Sequence, residues 1–322
     1  MERVILLKIK EIYDLAIKEG MNADPRGEEE LKRVLEKAKK EYDDLKETEK
    51  EFFDLEKLTN PYSDTRILIG DSDVEVKSIL CGIDIEVGEV LLADRLKEKG
   101  KDIDLLLAHH PEGKSLTGLP GVMKMQADIW HREGVPINIG DVLIDKRMKE
   151  VQRSLMPVNH NRAVDAARIL DIPFMNIHTP ADNMVTSFLQ KQFDELSPYT
   201  VKDVIDFLKK IPEYKEAAKM GAGPMILVGD GDKRAGRVVV DMTGGTEGPE
   251  GVLEKLADAG VGTIVGMHMG NKLRKKADEY HINVVIAGHI ASDAVGLNLL
   301  LDKFEKKEIN ITPCSGLMRV SR

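Results

Sequence analysis

From Thr65 to its end the chain repeats one pattern: a short apolar run, a stretch with helical spacing, then another apolar run. ILIG (67–70) and SILCGIDI (78–85) have the length and residue types of strands, Val87 to Lys99 has helical spacing, and IDLLLAHH (103–110) is a strand closed by two histidines. After a looser section, Arg162 to Leu170 predicts a helix and FMNIHT (174–179) a strand. The rhythm then resumes with RVVVDM (237–242), a Gly-rich turn, a helix over 251–259, GTIVGMH (262–268) and a helix over 271–280. INVVIAGH (282–289), a helix ending near Phe304 and INITP (309–313) complete it. Strands alternating with helices specify an α/β fold with parallel pairing, since parallel neighbours need a crossover.

Two stretches have the form of copies. SILCGIDI, helix, IDLLLAHH and RVVVDM, helix, GTIVGMH each run strand, helix, strand, histidine, with His268 falling where His110 falls. This predicts two similar α/β lobes, over 61–190 and 235–322, joined by a short segment over 191–234 that holds the helix TVKDVIDFL and a GAGP turn. Residues 1–60 differ and form an N-terminal helical extension. In it Leu31, Leu35, Ala38, Tyr42, Leu45 and Phe52 keep to one helical face, which predicts one long amphipathic helix from Glu28 to Leu58, ended by Asn60-Pro61.

Composition bounds the partners. Lys and Arg number 47 against 56 Asp and Glu, a net charge of −9, so the chain lacks the global positive field of nucleic-acid and membrane-surface binders. Aromatics are 4%, which argues against base-stacking platforms and for a core of aliphatic side chains. The N-terminal apolar run, residues 4–7, is too short for a signal or a span, and the expected location is the cytoplasm. Cys81 and Cys314 are too few for a disulfide framework and are expected to be buried thiols.

In open α/β sheets ligands sit beyond the carboxyl ends of the strands. There His109 and His110 follow LLLA, His178 follows FMNI with Asp182 four residues on, and His289 follows VVIAG with Asp293 four residues on. With a helix starting right after Gly288, His289 and Asp293 stand one turn apart on one face and converge on one ion. Imidazole and carboxylate together suit Zn, Fe or Mn, and a carboxylate can bridge two ions. His109, His110, Asp182, His289 and Asp293 thus supply enough ligands for two divalent ions.

These residues carry a resemblance. IDLLLAHHP, NIHTPAD, VVVDMTGGTEG and VVIAGHIASD occur in the order and spacing of the Nif-three-like proteins, also called GTP cyclohydrolase I type 2 homologues. The resemblance runs from about Thr65 to the C-terminus and implies a dinuclear metal centre in the cleft between two lobes and a toroidal homohexamer. Residue by residue, His109 and His110 match the HHP ligands, Asp182 the HTxxD aspartate and His289 the GH ligand. Asp293 stands where the family has Glu, and Met267 where it has an acid beside the second-lobe histidine. The implied activity is a metal-dependent hydrolase acting on a small molecule through metal-activated water; the alternative is a non-catalytic metal-binding scaffold or regulatory hexamer. GTP cyclohydrolysis enters through the resemblance alone, as nothing in the residues reads out guanine.

Other polar residues have lesser roles. His178 is open to three readings, a metal ligand, a residue orienting a ligand from behind or a substrate contact, of which the second is the expected one; His268 is read as a proton carrier or as a hydrogen-bonding partner of its neighbours, and these two are the candidates for a catalytic role. His131 and His160 lie in polar surroundings expected at the surface. The turn from Thr243 to Gly248 is open to two readings, an anion cradle or a tight strand-to-helix turn. The basic run from Lys272 to Lys276 fits a solvated helix face.

Overall fold

The computed structural model describes residues 6–322, so the apolar run at 4–7 falls partly outside the described residues. The strands, in chain order, are β1 (Leu7–Lys8), β2 (Arg66–Ile69), β3 (Glu75–Val76), β4 (Ser78–Gly82), β5 (Leu105–Ala108) and β6 (Phe174–Asn176). They continue with β7 (Met225–Val228), β8 (Arg237–Asp241), β9 (Val261–Gly266), β10 (Asn283–Ile286) and β11 (Asn310–Cys314). One sheet has the order β11-β4-β5-β6-β2, the other β7-β10-β9-β8, and β1 pairs with β3. In the first sheet β4, β5 and β6 run parallel and the edge strand β2 antiparallel. In the second, β8, β9 and β10 run parallel and the edge strand β7 antiparallel. Three parallel strands in sequence order, closed by one antiparallel edge, occur twice, as the copied stretches predict.

Every residue of β4 and β5 is buried, which is why their sequences are unbroken apolar runs instead of alternating ones. Ile79, Cys81, Leu105 and Leu107 face a core shared with Ile9, Ile12 and Ala16 of the helix Ile9–Asn22 and with Leu297, Leu300 and Leu301 of the helix His289–Glu305. Leu80, Leu106 and Ala108 point the other way, onto Val90, Ala93, Ala163 and Ala167. The first N-terminal helix is therefore part of the first lobe's core. It also crosses the helix Thr179–Leu196 closely enough that a Cβ on Gly20 would stand 2.5 Å from Pro180 Cβ.

Several expectations are corrected. The long helix over 28–58 is broken: Glu28–Asp44 is helical, Leu45 is extended, and only Glu47–Lys50 and a 3-10 turn at Leu55–Leu58 follow. Tyr42 and Phe53 stack with ring centroids 5.1 Å apart, whereas a straight helix would separate them by about 16 Å. Phe52, assigned to the buried face, is 84% exposed. The looser section is three helices, Gly113–Val122, Met125–Arg132 and Ile137–Leu155. Cys81 is buried, but Cys314 is partly exposed at the edge strand β11.

The lobe boundaries are crossed at both ends. β7 lies within the expected connecting segment yet pairs with β10, and β11 lies within the expected second lobe yet pairs with β4. In each case an open edge of a sheet takes up the nearest free strand, which satisfies its exposed backbone groups. No helix among the described residues is long and apolar enough to cross a membrane.

Candidate metal centre

The carboxyl ends of β5, β6 and β10 meet in the cleft between the sheets. His109 and His110 leave β5 with their backbone N–H groups donating to Gly82 O at 3.0 Å and Ile83 O at 2.9 Å, which fixes where both rings start. His178 caps the helix Thr179–Leu196, and Gly288, with φ of +114°, turns the chain directly into the helix His289–Glu305. His178 and Asp182 thus occupy the opening turn of one helix, and His289 and Asp293 that of the other. The two helices pack against each other at Gly296, where a Cβ would lie 2.3 Å from Ala181 O. This close approach brings Asp182 and Asp293 to one point.

His109 Nε2 lies 3.4 Å from Asp182 Oδ1 and 3.5 Å from Asp293 Oδ1. Asp293 Oδ2 lies 3.5 Å from His110 Nε2 and 3.6 Å from His289 Nε2, and Asp182 Oδ2 lies 3.7 Å from His178 Nε2. These gaps are long for hydrogen bonds. They fit ligands sharing an ion, since two ligands about 2.1 Å from a tetrahedral ion stand about 3.4 Å apart. Two groups have this ligand spacing: His109, His110 and Asp293, and His109, His178 and Asp182. His109 Nε2, Asp182 Oδ1 and both Asp293 oxygens are buried with no hydrogen-bond partner. Unpaired buried polar atoms are costly, and a cation at their centre satisfies all of them together. The donor set therefore fits a divalent metal.

The far side of each ring is held. His109 Nδ1–H donates to Ile177 O at 3.1 Å, His110 Nδ1–H to Asp84 at 2.7 Å, and His178 Nδ1–H to Asp64 at 2.7 Å. Each Nε2 lone pair is thereby presented to the cleft. Asp64 is fully buried and also accepts from Thr179 Oγ1 at 2.7 Å. Its burial opposes ionisation, but His178 and Thr179 hold its carboxyl below the usual range. Burial likewise opposes the charge on Asp293, and the rings of His109, His110 and His289 hold it far below. His109 is driven the other way: burial disfavours its charge, yet Asp293 and Asp182 raise its pKa well above the ordinary value.

The sequence-predicted ligands are brought together, and His178 sits differently from its expectation. Its Nε2 faces Asp182 from within the cluster, and the residue that orients a ring from behind is Asp64. His268 stands one ring further out, 4.9 Å from the His289 centroid, and donates from Nδ1 to Glu247 at 3.1 Å. This hydrogen bond to Glu247 raises His268 and lowers Glu247. The acid missing at Met267 thus comes from the Gly-rich turn. The orienting residues Asp64 and Asp84 were missed; Asp84 has a signal, a lone carboxylate just past the end of β4, and Asp64, ahead of β2, has none. His131 is exposed, whereas His160 is partly covered.

The turn itself is tight. Gln126 Nε2 donates to Gly244 O and Thr246 O, both at 2.6 Å, and Gly244 and Gly245 have φ of +98° and +86°. It forms one side of a cavity that also reaches His178, Asp182, His289 and Asp293. Asp241, at the end of β8, opens into this cavity; surrounding protein and nearby Glu247 push its carboxyl up to about 6.

No protein-family model and no curated protein matches the chain. Among solved structures, the NIF3 superfamily protein from Sphaerobacter thermophilus is 28% identical, with 79% of this chain and 92% of that one covered at a TM-score of 0.69. Reduced HcgD from Methanocaldococcus jannaschii is 14% identical over 77% of this chain and 87% of its own, with a TM-score of 0.45. A Bacillus cereus protein related to NIF3 is 13% identical over 80% and 92%, with a TM-score of 0.40. Of these three, the Sphaerobacter protein alone is near enough to bear on the architecture described above.

Proposed function

This chain is NIF3-like, and on that premise we propose that it is a hydrolase dependent on two divalent metal ions. The observation that carries the proposal is the set of buried, partnerless atoms: His109 Nε2, Asp182 Oδ1 and both oxygens of Asp293. His109, His178 and Asp182 would hold one ion, and His110 and Asp293 the other, with His109 between the two groups and His289 Nε2 3.6 Å from Asp293 Oδ2 as a further ligand. Such ions supply Lewis acidity and lower the pKa of water. Asp64 and Asp84 fix the rings of His178 and His110. Glu247 holds the Nδ1 proton of His268, leaving Nε2 free to take or give a proton beside His289. A substrate cavity directly on the cluster favours turnover over a purely storage or scaffold role.

The test is metal analysis of purified protein reconstituted with Zn, Mn or Fe, followed by hydrolysis assays on esters, amides and phosphoesters. The expected result is about two ions per chain, lost in Asp182→Ala together with turnover. Less than one ion per chain would overturn the metal reading. Two ions with no turnover over the whole panel would replace the enzyme with a scaffold.

A further inference from the structure

The cavity beside the metal centre has two kinds of lining. Trp130, Leu253, Leu256, Met267 and Leu273 are apolar; Asp241, Glu247 and His268 are polar. Among the described residues no lysine or arginine lines it. Glu247 is already occupied, accepting from His268 and from the Gly270 N–H at 2.5 Å. Asp241 is not: at the exposed end of β8, its carboxylate has no hydrogen bond or ion pair among the described residues. Asp182 and Asp293 reach the same cavity, 4% and 1% exposed, with oxygens that lack partners.

Resting on the hydrolase reading, we propose that the cavity takes a small substrate with an apolar body and a cationic nitrogen head, an amine or amidine, that pairs with Asp241. The apolar lining receives the body, and the unpaired carboxylate beyond the metals receives the charge. A phosphate would have to be held by the ions, since around Asp241 and Glu247 no guanidinium or ammonium is present to bind it.

Isothermal titration of the full chain, zinc-loaded and metal-free, with benzamidine, benzamide and phenyl phosphate tests this, with zinc content measured alongside. Benzamidine stays protonated at pH 7.5 and keeps the shape of benzamide. The expected result is at least tenfold tighter binding of benzamidine than of benzamide in both forms, and than of phenyl phosphate in the metal-free form. Asp241→Asn and Asp241→Ser should abolish that preference and leave zinc content unchanged. Phenyl phosphate binding the metal-free form as tightly as benzamidine, a preference for benzamidine over benzamide that survives in both variants, or loss of zinc in either would overturn the proposal. The metal-free arm separates the two failures: there the amidine preference is read without ions, whereas failure of the hydrolase reading appears as absent zinc or absent turnover.

Discussion

Replacing Gly296 by Ala tests whether helix contact builds the metal centre. The new Cβ would stand 2.3 Å from Ala181 O and 2.9 Å from its carbonyl carbon, where ordinary contact begins at 3.4 Å. The obstacle is backbone and cannot rotate aside, so the helices Thr179–Leu196 and His289–Glu305 must part by about 1 Å. Two effects compete. Ala gains about 1 kcal/mol of helix propensity over Gly, and overpacking costs about 1–3 kcal/mol. With a rigid obstacle the upper part of that range applies, giving a net loss of about 1–2 kcal/mol and a Tm lowered by about 1.5–3 °C. Asp182 adjoins Ala181 and Asp293 lies one turn before Gly296, so the same movement separates the carboxylates. Metal sites tolerate errors of about 0.2 Å, so zinc affinity should fall at least tenfold. Urea unfolding of the metal-free protein measures the first effect and chelator competition the second. A variant as stable as the parent with unchanged zinc affinity would refute the reasoning, because propensity would then have won and the close approach would be irrelevant.

Asp64→Asn should lower zinc affinity about 10–100-fold, since His178 loses its charged orienting partner; unchanged affinity in chelator competition would show that the ring is held otherwise. Gln126→Leu leaves the Gly244 and Thr246 carbonyls without their donor and should cost about 1–3 kcal/mol in denaturant unfolding. Asp241→Asn should act with pH. The folded-state pKa is raised to about 6, above the unfolded value, so ionised Asp241 disfavours the fold, an effect that grows as pH rises from about 4 to 6 and is complete above. Discounted for exposure, the metal-free variant should be about 1 kcal/mol more stable than the parent at pH 8 and equal to it below pH 4. Equal stability at both pH values in urea unfolding would remove that account.

Much of this was legible because the determinants are local. β4 and β5 are buried on both faces, so their apolar runs carry no ambiguity. The His289–Asp293 spacing fixes one helical turn once Gly288 starts the helix. What was illegible depends on distant partners. Asp64 meets His178 across 114 residues, and no local pattern marks it. The helix Gly113–Val122 hides behind its glycines and Pro120; Gly118 is there because a Cβ would lie 2.2 Å from Ser63 O, a contact set by tertiary packing. The break after Asp44 left one trace, Glu49 in the apolar stripe between Leu45 and Phe52, but the stripe resumes at Phe52, while the tilted Tyr42–Phe53 contact that turns the chain back forms only in the folded protein.

The return of β11 to the first sheet has a mechanical consequence. The chain passes from the first sheet to the second after the helix Thr179–Leu196 and comes back through the helix His289–Glu305. It also reaches the second sheet earlier: Met123, Trp130, Ile144 and Val151, between β5 and β6, are buried with Val228, Val239, Ile264 and Val284. The two sheets are therefore tied by chain crossings on one side and by packing on the other, as a box is braced by opposite faces. The helix pair whose opening turns carry Asp182 and Asp293 lies in that brace, so the ion-holding geometry is set by the assembled fold and not by a flexible loop.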